Sequence, residues 1–435
     1  MNPIKVENIK INDVIWRQSM IIKQHVKKQF TRLIGVALLT GVNTFAVADS
    51  NKESDKNIVA PMVSDADAKL SFWDMSYLEK AYIDTSPSQR KDAIPVGKLG
   101  VGELDANKGN KEMIVKLAKE IANKQHGLID SLLISHQGKL VFESYYGRGR
   151  VDLPHMQASS TKSYLSLAIG RAIQLGYLTM ADLDKPLVGF LKDLDLSRAV
   201  EGADKITLHK AMSMRSGMHI TRDQLKEFAK DPKQLKGQGQ IQTYLEHSPV
   251  ITSSSQTFHY QGADPRLVMQ VLEVVVPGTA KDFIKKELLN KMGITNYKWR
   301  KDASGLPMGP YGSSMTPRNM IKWGTLVMNN GKWNGEQLIS ESFIKKATNR
   351  LVHPDAEDVF FVGDKISNPG YGYYFWQADM KVGNKNYYSQ SAQGGGGQYI
   401  IMIEELDLLM VFTAHERDDK TMQIASERVL PAFVN

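Results

Sequence analysis

The 435-residue chain contains no cysteine. That excludes disulfides, a thiolate zinc site and a lipid-modified cysteine behind a leader. No HExxH pattern or carboxylate cluster with metal-ligand spacing occurs, so neither a metal nor a cofactor is expected. The Gly-x-Ser-x-Gly elbow of Ser/His/Asp hydrolases is absent as well. There is no internal repeat. Positive charge is in formal excess, at +8, but residues 1–48 hold seven basic residues (Lys5, Lys10, Arg17, Lys23, Lys27, Lys28, Arg32) against two acidic ones (Glu7, Asp13). Five of the eight excess charges therefore lie in that segment. The remainder shows no basic stripe with interleaved aromatics, so no nucleic-acid partner is expected.

What is present points to a folded, exported chain. The length suits two or three compact domains, and 42% hydrophobic with 8% aromatic residues supports a large core. The stretch KKQFTRLIGVALLTGVNTFAVADS has a basic start, an apolar run from Leu33 to about Ala48, and small residues at Ala46 and Ala48. This is the order of a secretory signal peptide over residues 1–48, cleaved after Ala48 and before Asp49. The alternative is a membrane anchor, but the apolar run is short for a span. The long lead before Lys27 suggests translation from Met20 rather than Met1. The expected location is periplasmic or secreted, with no stable membrane span once the signal is removed. Residues 49–70, rich in Asp, Ser and Lys, read as a polar linker ahead of one domain over 71–435.

Within that domain, MIVKLAKEIA (113–122) has helical apolar spacing, and SLLISHQGKLVFESYYG reads as two strands around a Gln137-Gly138 turn. Residues from about 165 to 300 are mainly helical in pattern. Composition turns β-rich again in YYSQSAQGGGGQYIIMIEELDLLMVFTAHE, and TMQIASERVLPAFV closes as a helix. Strands at both ends of the chain predict one sheet built from both, with a helical part inserted, an α/β (α+β) arrangement.

In HMQASSTKSYLSLAIG, Ser159 and Lys162 are three residues apart at the start of an apolar helical run. Residues at i and i+3 share a helix face, so the lysine can reach the serine oxygen. A serine needs a base to become nucleophilic, and a lysine serves only if burial or nearby positive charge brings it down from its usual pKa of about 10.4. The plainer reading makes Ser159 an N-cap and Lys162 a solvated side chain. Ser88 with Lys91 and Ser342 with Lys345 match the same spacing. Only Ser159 sits between a β-hairpin and a long buried helix.

The order LLISHQGKLVFESYYG, SSTK, AIQLGYLTMADLDKPL, ITLHKAMSMRSGM, FHYQGADPRLVMQVLE, GSSMTPRNMIKWGTLVMNNGKWNGEQLI, GYGYYFW and GGGGQYIIMIEELDLLMVFT resembles the class C β-lactamase-like serine hydrolases over roughly residues 129–430. That family includes β-lactamases, D,D-peptidases, esterases and nylon-oligomer amidases. The resemblance implies the β-lactamase/transpeptidase-like fold, with a five-stranded antiparallel sheet flanked by helices, an all-helical domain, and the site between them. It also implies that Tyr260 is the proton relay of a Tyr-x-Asn loop, although a tyrosine in this setting is otherwise read as a core aromatic. Gly262 stands where the asparagine belongs, so an amide contact to β-lactam substrates is missing. The family's Lys-Thr-Gly strand is replaced by SAQGGGGQY, which removes the usual partner of a substrate carboxylate. There an N–H near Gln393 joins the Ser159 N–H in an oxyanion hole, with Gly394 and Gly395 letting the substrate approach. The competing reading of the glycines is a hairpin turn. His259 has a supporting role at most, and His155 reads as structural.

Three functions compete on this evidence. The first is a secreted serine hydrolase cleaving an ester or amide, with Ser159 as nucleophile, Lys162 as base, Tyr260 as relay and a small-molecule ester, amide or peptide as partner. The second is a β-lactamase or D,D-carboxypeptidase, disfavoured by the missing lysine and asparagine. The third is a non-catalytic module that binds peptide or cell-wall fragments, disfavoured by retention of all three chemical residues.

Overall fold

The computed structural model describes residues 59–89, 99–361, 363–416 and 418–434. The expected signal peptide, its cleavage point, the start at Met20 and Lys91 lie outside the described residues, as do linker residues 49–58.

Nine strands form the main sheet: β1 (Tyr82–Asp84), β2 (Gly100–Val101), β3 (Ile129–His136), β4 (Lys139–Tyr145), β5 (Ile366–Tyr371), β6 (Trp376–Val382), β7 (Lys385–Gly394), β8 (Gln398–Ile403) and β9 (Leu408–Ala414). Their order is β1-β4-β3-β9-β8-β7-β6-β5, all antiparallel, and β2 adds to β4 in parallel. The expected five strands correspond to β4, β3, β9, β8 and β7. The sheet is wider because β5 and β6 extend it past β7 while β1 and β2 cover β4. The GYGYYFW stretch runs into β6, and a turn with Gly383 at φ 58° folds β6 back onto β7.

The β3–β4 hairpin forms as its sequence predicts. Gln137 and Gly138 both have positive φ, 52° and 69°, which suits a two-residue turn that follows the right-handed twist of its strands. Every residue of β3 is buried, so this strand lies inside the sheet with both faces covered. It pairs with β9 in a register that places His136 opposite Leu408 and Ser135 opposite Leu409. The sheet is thus closed from both ends of the chain.

Helices cover the two faces. Helix α1 (Lys111–Ala122) is started by Asn110, whose side chain accepts from the Met113 N–H, and buries Ile114, Leu117, Ala118 and Ile121 at helical spacing. Burying each of the isoleucine and leucine side chains contributes about 1.5–3 kcal/mol. The C-terminal helical stretch from Thr421 to Phe433 packs beside α1, with Phe433 edge-on to His136 at 4.9 Å. On the opposite face lie α2 (Thr161–Gln174) and, after α3 (Ala263–Val275) of the helical side, α4 (Pro317–Met328). Gly324 of α4 rests on Leu409 and Ile400, and Trp323 stacks on Tyr164 of α2 at 4.8 Å. Between residues 180 and 296 the chain is mainly short helices and turns, of which α3 is the longest, and the strand Tyr297–Trp299 then pairs with Ser313–Met315. Among the described residues no helix is long and apolar enough to cross a membrane.

The described part of the expected linker, residues 59–70, makes contacts with the domain. Ala60 is buried in the core, the Pro61 carbonyl accepts from the Val151 N–H, and the Val63 N–H donates to Asp152. Asp67 is buried and accepts from the Ser76 N–H and hydroxyl. Among the polar residues of this stretch Asp67 is buried while Ser64, Asp65 and Lys69 face solvent, which composition alone does not distinguish.

Candidate active site

Ser159 lies in a single 3-10 turn, Ala158–Ser160, that leads directly into α2. Ala158 has φ 44°, a left-handed conformation that costs energy for a residue with a Cβ and must be held by its surroundings. The holding contacts are present. The Gln157 N–H donates to the Ser313 carbonyl at 2.9 Å, and its side-chain amide bridges the Tyr164 hydroxyl and the His155 carbonyl. Ser160 donates to the Gln398 carbonyl at 3.0 Å, and the Thr161 and Ser313 hydroxyls meet at 2.8 Å.

Lys162 is 3% exposed, and its Nζ stands 2.9 Å from Ser159 Oγ and 2.8 Å from the Pro310 carbonyl oxygen. Burial, and secondarily the charge of Arg266, bring its pKa down to about 7. The amine is then substantially neutral at neutral pH. A neutral amine that donates to Pro310 has its lone pair free for the serine proton. The face of the Tyr260 ring lies 4.8 Å from Nζ.

Burial pushes the pKa of the Tyr260 hydroxyl up to about 12, against smaller lowering effects of the neighbouring Ser159 and Trp376 side chains. This phenol therefore keeps its proton at neutral pH. Lysine near 7 and tyrosine near 12 suit different tasks: the amine can accept a proton at neutral pH, and the hydroxyl can donate one. The Tyr260 ring is enclosed by Tyr371, Trp376 and Phe360, the last 54% exposed at a centroid distance of 5.1 Å.

The end of β7 lies against the turn that carries Ser159. The β6 ladder ends at the Trp376–Ser391 pair, so Gln393 and Gly394 lie beyond it. A Cβ on Gly394 would stand 2.1 Å from the Gln157 carbonyl oxygen, so only glycine permits this approach. Gly395 carries no such constraint, since a Cβ there meets nothing within 4 Å; it belongs to the hairpin turn between β7 and β8. The Gln393 side chain is turned to Ser391, donating to its hydroxyl at 2.9 Å.

His259 does not join the group. Its ring is exposed and stacks on His219 at 4.1 Å, and its pKa is lowered by partial desolvation and by that second imidazole. His155 shares the buried Asp130 carboxylate with His415, at 3.1 and 2.8 Å. Of the two other Ser-x-x-Lys pairs, Lys345 is exposed and paired with Glu341 at 2.5 Å.

Several neighbours are not signalled by the sequence. Asp264, fully buried in the first turn of α3, accepts from Ser216 at 2.6 Å and from Gln261 at 2.9 Å, which fixes the loop behind Tyr260. Burial pushes its pKa up to about 7. Read from sequence, it is an ordinary acidic residue at a helix start. Arg266 and Pro310 reach Lys162 only through packing of distant segments.

Comparison with known proteins bears on the fold and the family. An uncharacterized protein of Alkalihalophilus pseudofirmus is 24% identical over 272 residues, spanning 54% of this chain and 70% of the relative. Among solved structures, a penicillin binding protein from Bacillus halodurans superposes with a TM-score of 0.51 at 17% identity, covering 69% of this chain and 94% of that one. EstCE1, a hydrolase with promiscuous acyltransferase activity, gives 0.55 at 12% identity, covering 76% of this chain and all of the other. These likenesses show the fold. The sequence model of the family described as beta-lactamase matches residues 115–432, well over half of the molecule, and the chain belongs to that family.

Proposed function

We propose that this chain is an exported serine hydrolase that cleaves a neutral ester or amide through an acyl-enzyme on Ser159. The observation that carries the reading is the 2.9 Å contact between Lys162 Nζ and Ser159 Oγ, with the amine buried and held near neutrality. Lys162 takes the hydroxyl proton as Oγ bonds to the substrate carbonyl carbon. The developing oxyanion meets the Ser159 N–H and an N–H near Gln393. Collapse expels the alcohol or amine, which takes a proton from the Tyr260 hydroxyl, and the Lys162 ammonium restores it. Water then adds to the acyl group by the reverse proton route, and Ser159 leaves with its proton.

A neutral substrate follows from what surrounds the site. The β7 end carries Gln393 in place of a lysine, and the nearby Arg266 is engaged by the Gly262 carbonyl and Asp302. Neither position therefore offers a free cation to a β-lactam or D-alanine carboxylate. The exposed Phe360 ring beside Tyr260 favours an apolar or aryl group on the substrate.

A panel of p-nitrophenyl esters, linear amides and a chromogenic cephalosporin on the purified protein tests this reading. Aryl-ester turnover above cephalosporin turnover is expected, and the reverse order favours the β-lactamase reading. Export rests on the leader, and mass spectrometry of the mature protein checks it: an N-terminus at Asp49 is expected, and one retained at Met1 or Met20 overturns it.

A further inference from the structure

Position 262 raises a question that backbone conformation does not answer. Gly262 has φ −93° and ψ −9°, accessible to any residue. Space, however, is restricted there. A Cβ would stand 2.8 Å from Arg266 Nη1, with Pro310 Cβ at 3.6 Å. The same Nη1 donates to the Gly262 carbonyl at 2.8 Å. Pro310 in turn supplies the carbonyl that accepts from Lys162. Arg266, Gly262, Pro310 and Lys162 are thus successive layers of one packed group, and the missing side chain at 262 is the room that the guanidinium uses.

We infer that Arg266 is a positioning residue for the base: it fills the space at Gly262, and its permanent charge behind the Lys162–Pro310 contact keeps the Lys162 amine free to take the Ser159 proton. The inference rests on the proposed role of Lys162. An asparagine in that space supplies only a neutral dipole, whereas a guanidinium is charged at every working pH. The lowering of the Lys162 pKa by burial first and Arg266 second agrees in direction.

The other groups facing this pair are few. Lys162 meets the Ser159 hydroxyl, the Pro310 carbonyl and the ring of neutral Tyr260. Arg266 meets the Asp302 carboxylate at 3.6 Å through Nε, together with Tyr311 and Tyr244. Asp302 is partly occupied by Ser304, whose N–H and hydroxyl donate to its other oxygen at 3.0 and 2.6 Å. Asp264, two residues before Arg266 on α3, is engaged with Ser216 and Gln261. Asp302 is therefore the group that offsets the arginine, and its removal has the opposite sign.

The test measures the second-order rate of Ser159 labelling by a fluorophosphonate from pH 5 to 9, with the labelled peptide identified by mass. Arg266→Gln should move the labelling midpoint up by about one pH unit, so that labelling at pH 6 falls roughly tenfold while the alkaline plateau is kept. Arg266→Lys, which retains the charge, should stay close to wild type, and Asp302→Asn should move the midpoint down. An unchanged midpoint in Arg266→Gln, or an equal loss of rate at every pH, overturns the inference. Should Arg266→Gln fail to fold, Asp302→Asn decides alone, and an unchanged midpoint there overturns it. Wild-type protein that never labels at Ser159 instead overturns the proposed hydrolase reading, a result distinct from a labelled site with an unmoved midpoint.

Discussion

Gly394 and Gln157 are in backbone contact: a methyl group on the first would sit 2.1 Å from the carbonyl oxygen of the second. Gln157 immediately precedes the strained Ala158 and then Ser159, so the strand end and the nucleophile are set against each other without an intervening side chain.

Gly394→Ala should therefore displace β7 from the nucleophile turn. Turnover is expected to fall by at least tenfold, with Ser159 still reacting slowly with an acylating probe. Steady-state kinetics and labelling on a folded sample check it. Full turnover would mean that the strand end does not serve the oxyanion.

The three central residues divide the work unequally. Ser159→Ala should abolish covalent labelling, and Lys162→Ala should nearly abolish it, because the proton must leave Oγ before the bond forms. Tyr260→Phe keeps the packed ring and removes the relay, so turnover should fall by about 10²- to 10⁴-fold. Residual labelling with an acyl-enzyme burst in Tyr260→Phe assigns the relay mainly to deacylation. A Ser159→Ala protein with undiminished turnover would place the chemistry on another residue.

The pH profile has a defined shape. Activity should rise through about pH 7 as Lys162 loses its proton, and should not fall again below about pH 10, because Tyr260 holds its proton to about 12. Asp264 is pushed up into the same window, near 7, so the variant Asp264→Asn separates the two groups. Its acid limb should stay in place if the lysine sets it. An acid limb near pH 4–5 in wild type would indicate a carboxylate base instead.

A stability prediction comes from the ion pair that joins α4 to the sheet. Arg318 Nε and Nη2 donate to the two carboxylate oxygens of Glu143 at 2.9 and 3.0 Å, both side chains being almost fully buried. The Tyr145 hydroxyl also donates to Glu143. Arg318→Met strands a buried carboxylate and should cost about 3–5 kcal/mol. The double variant Glu143→Leu/Arg318→Met should recover much of that loss, measured by denaturant unfolding. A single variant as stable as wild type would mean that water reaches Glu143.

Local chemistry was the legible part of this sequence. The Gln137-Gly138 turn, the helix over 113–122 and the serine–lysine spacing each depend on residues within a few positions of one another, and the structure has them as read. The wider sheet was hidden because β6 takes its place by pairing with β7, and β5 by pairing with β6, rather than through a strong pattern of their own. Asp264, Arg266 and Pro310 were hidden for a related reason. Each is unremarkable in its own segment, and each acts through a neighbour that folding brings to it. His259 shows the converse: adjacency to Tyr260 in sequence places its ring on His219, away from the serine.

The pairing of β3 with β9 has a consequence for the time course of folding. Ser131 and Thr413, whose hydroxyls meet at 2.6 Å across that seam, are 282 positions apart. During synthesis the early hairpin waits for a partner strand that emerges among the last residues, and until then the free edge of β3 is unpaired. Loop closure on this scale is slow, and a chain in that state depends on chaperones to avoid aggregation. The same delay leaves this seam of the sheet unmade until the chain is nearly complete.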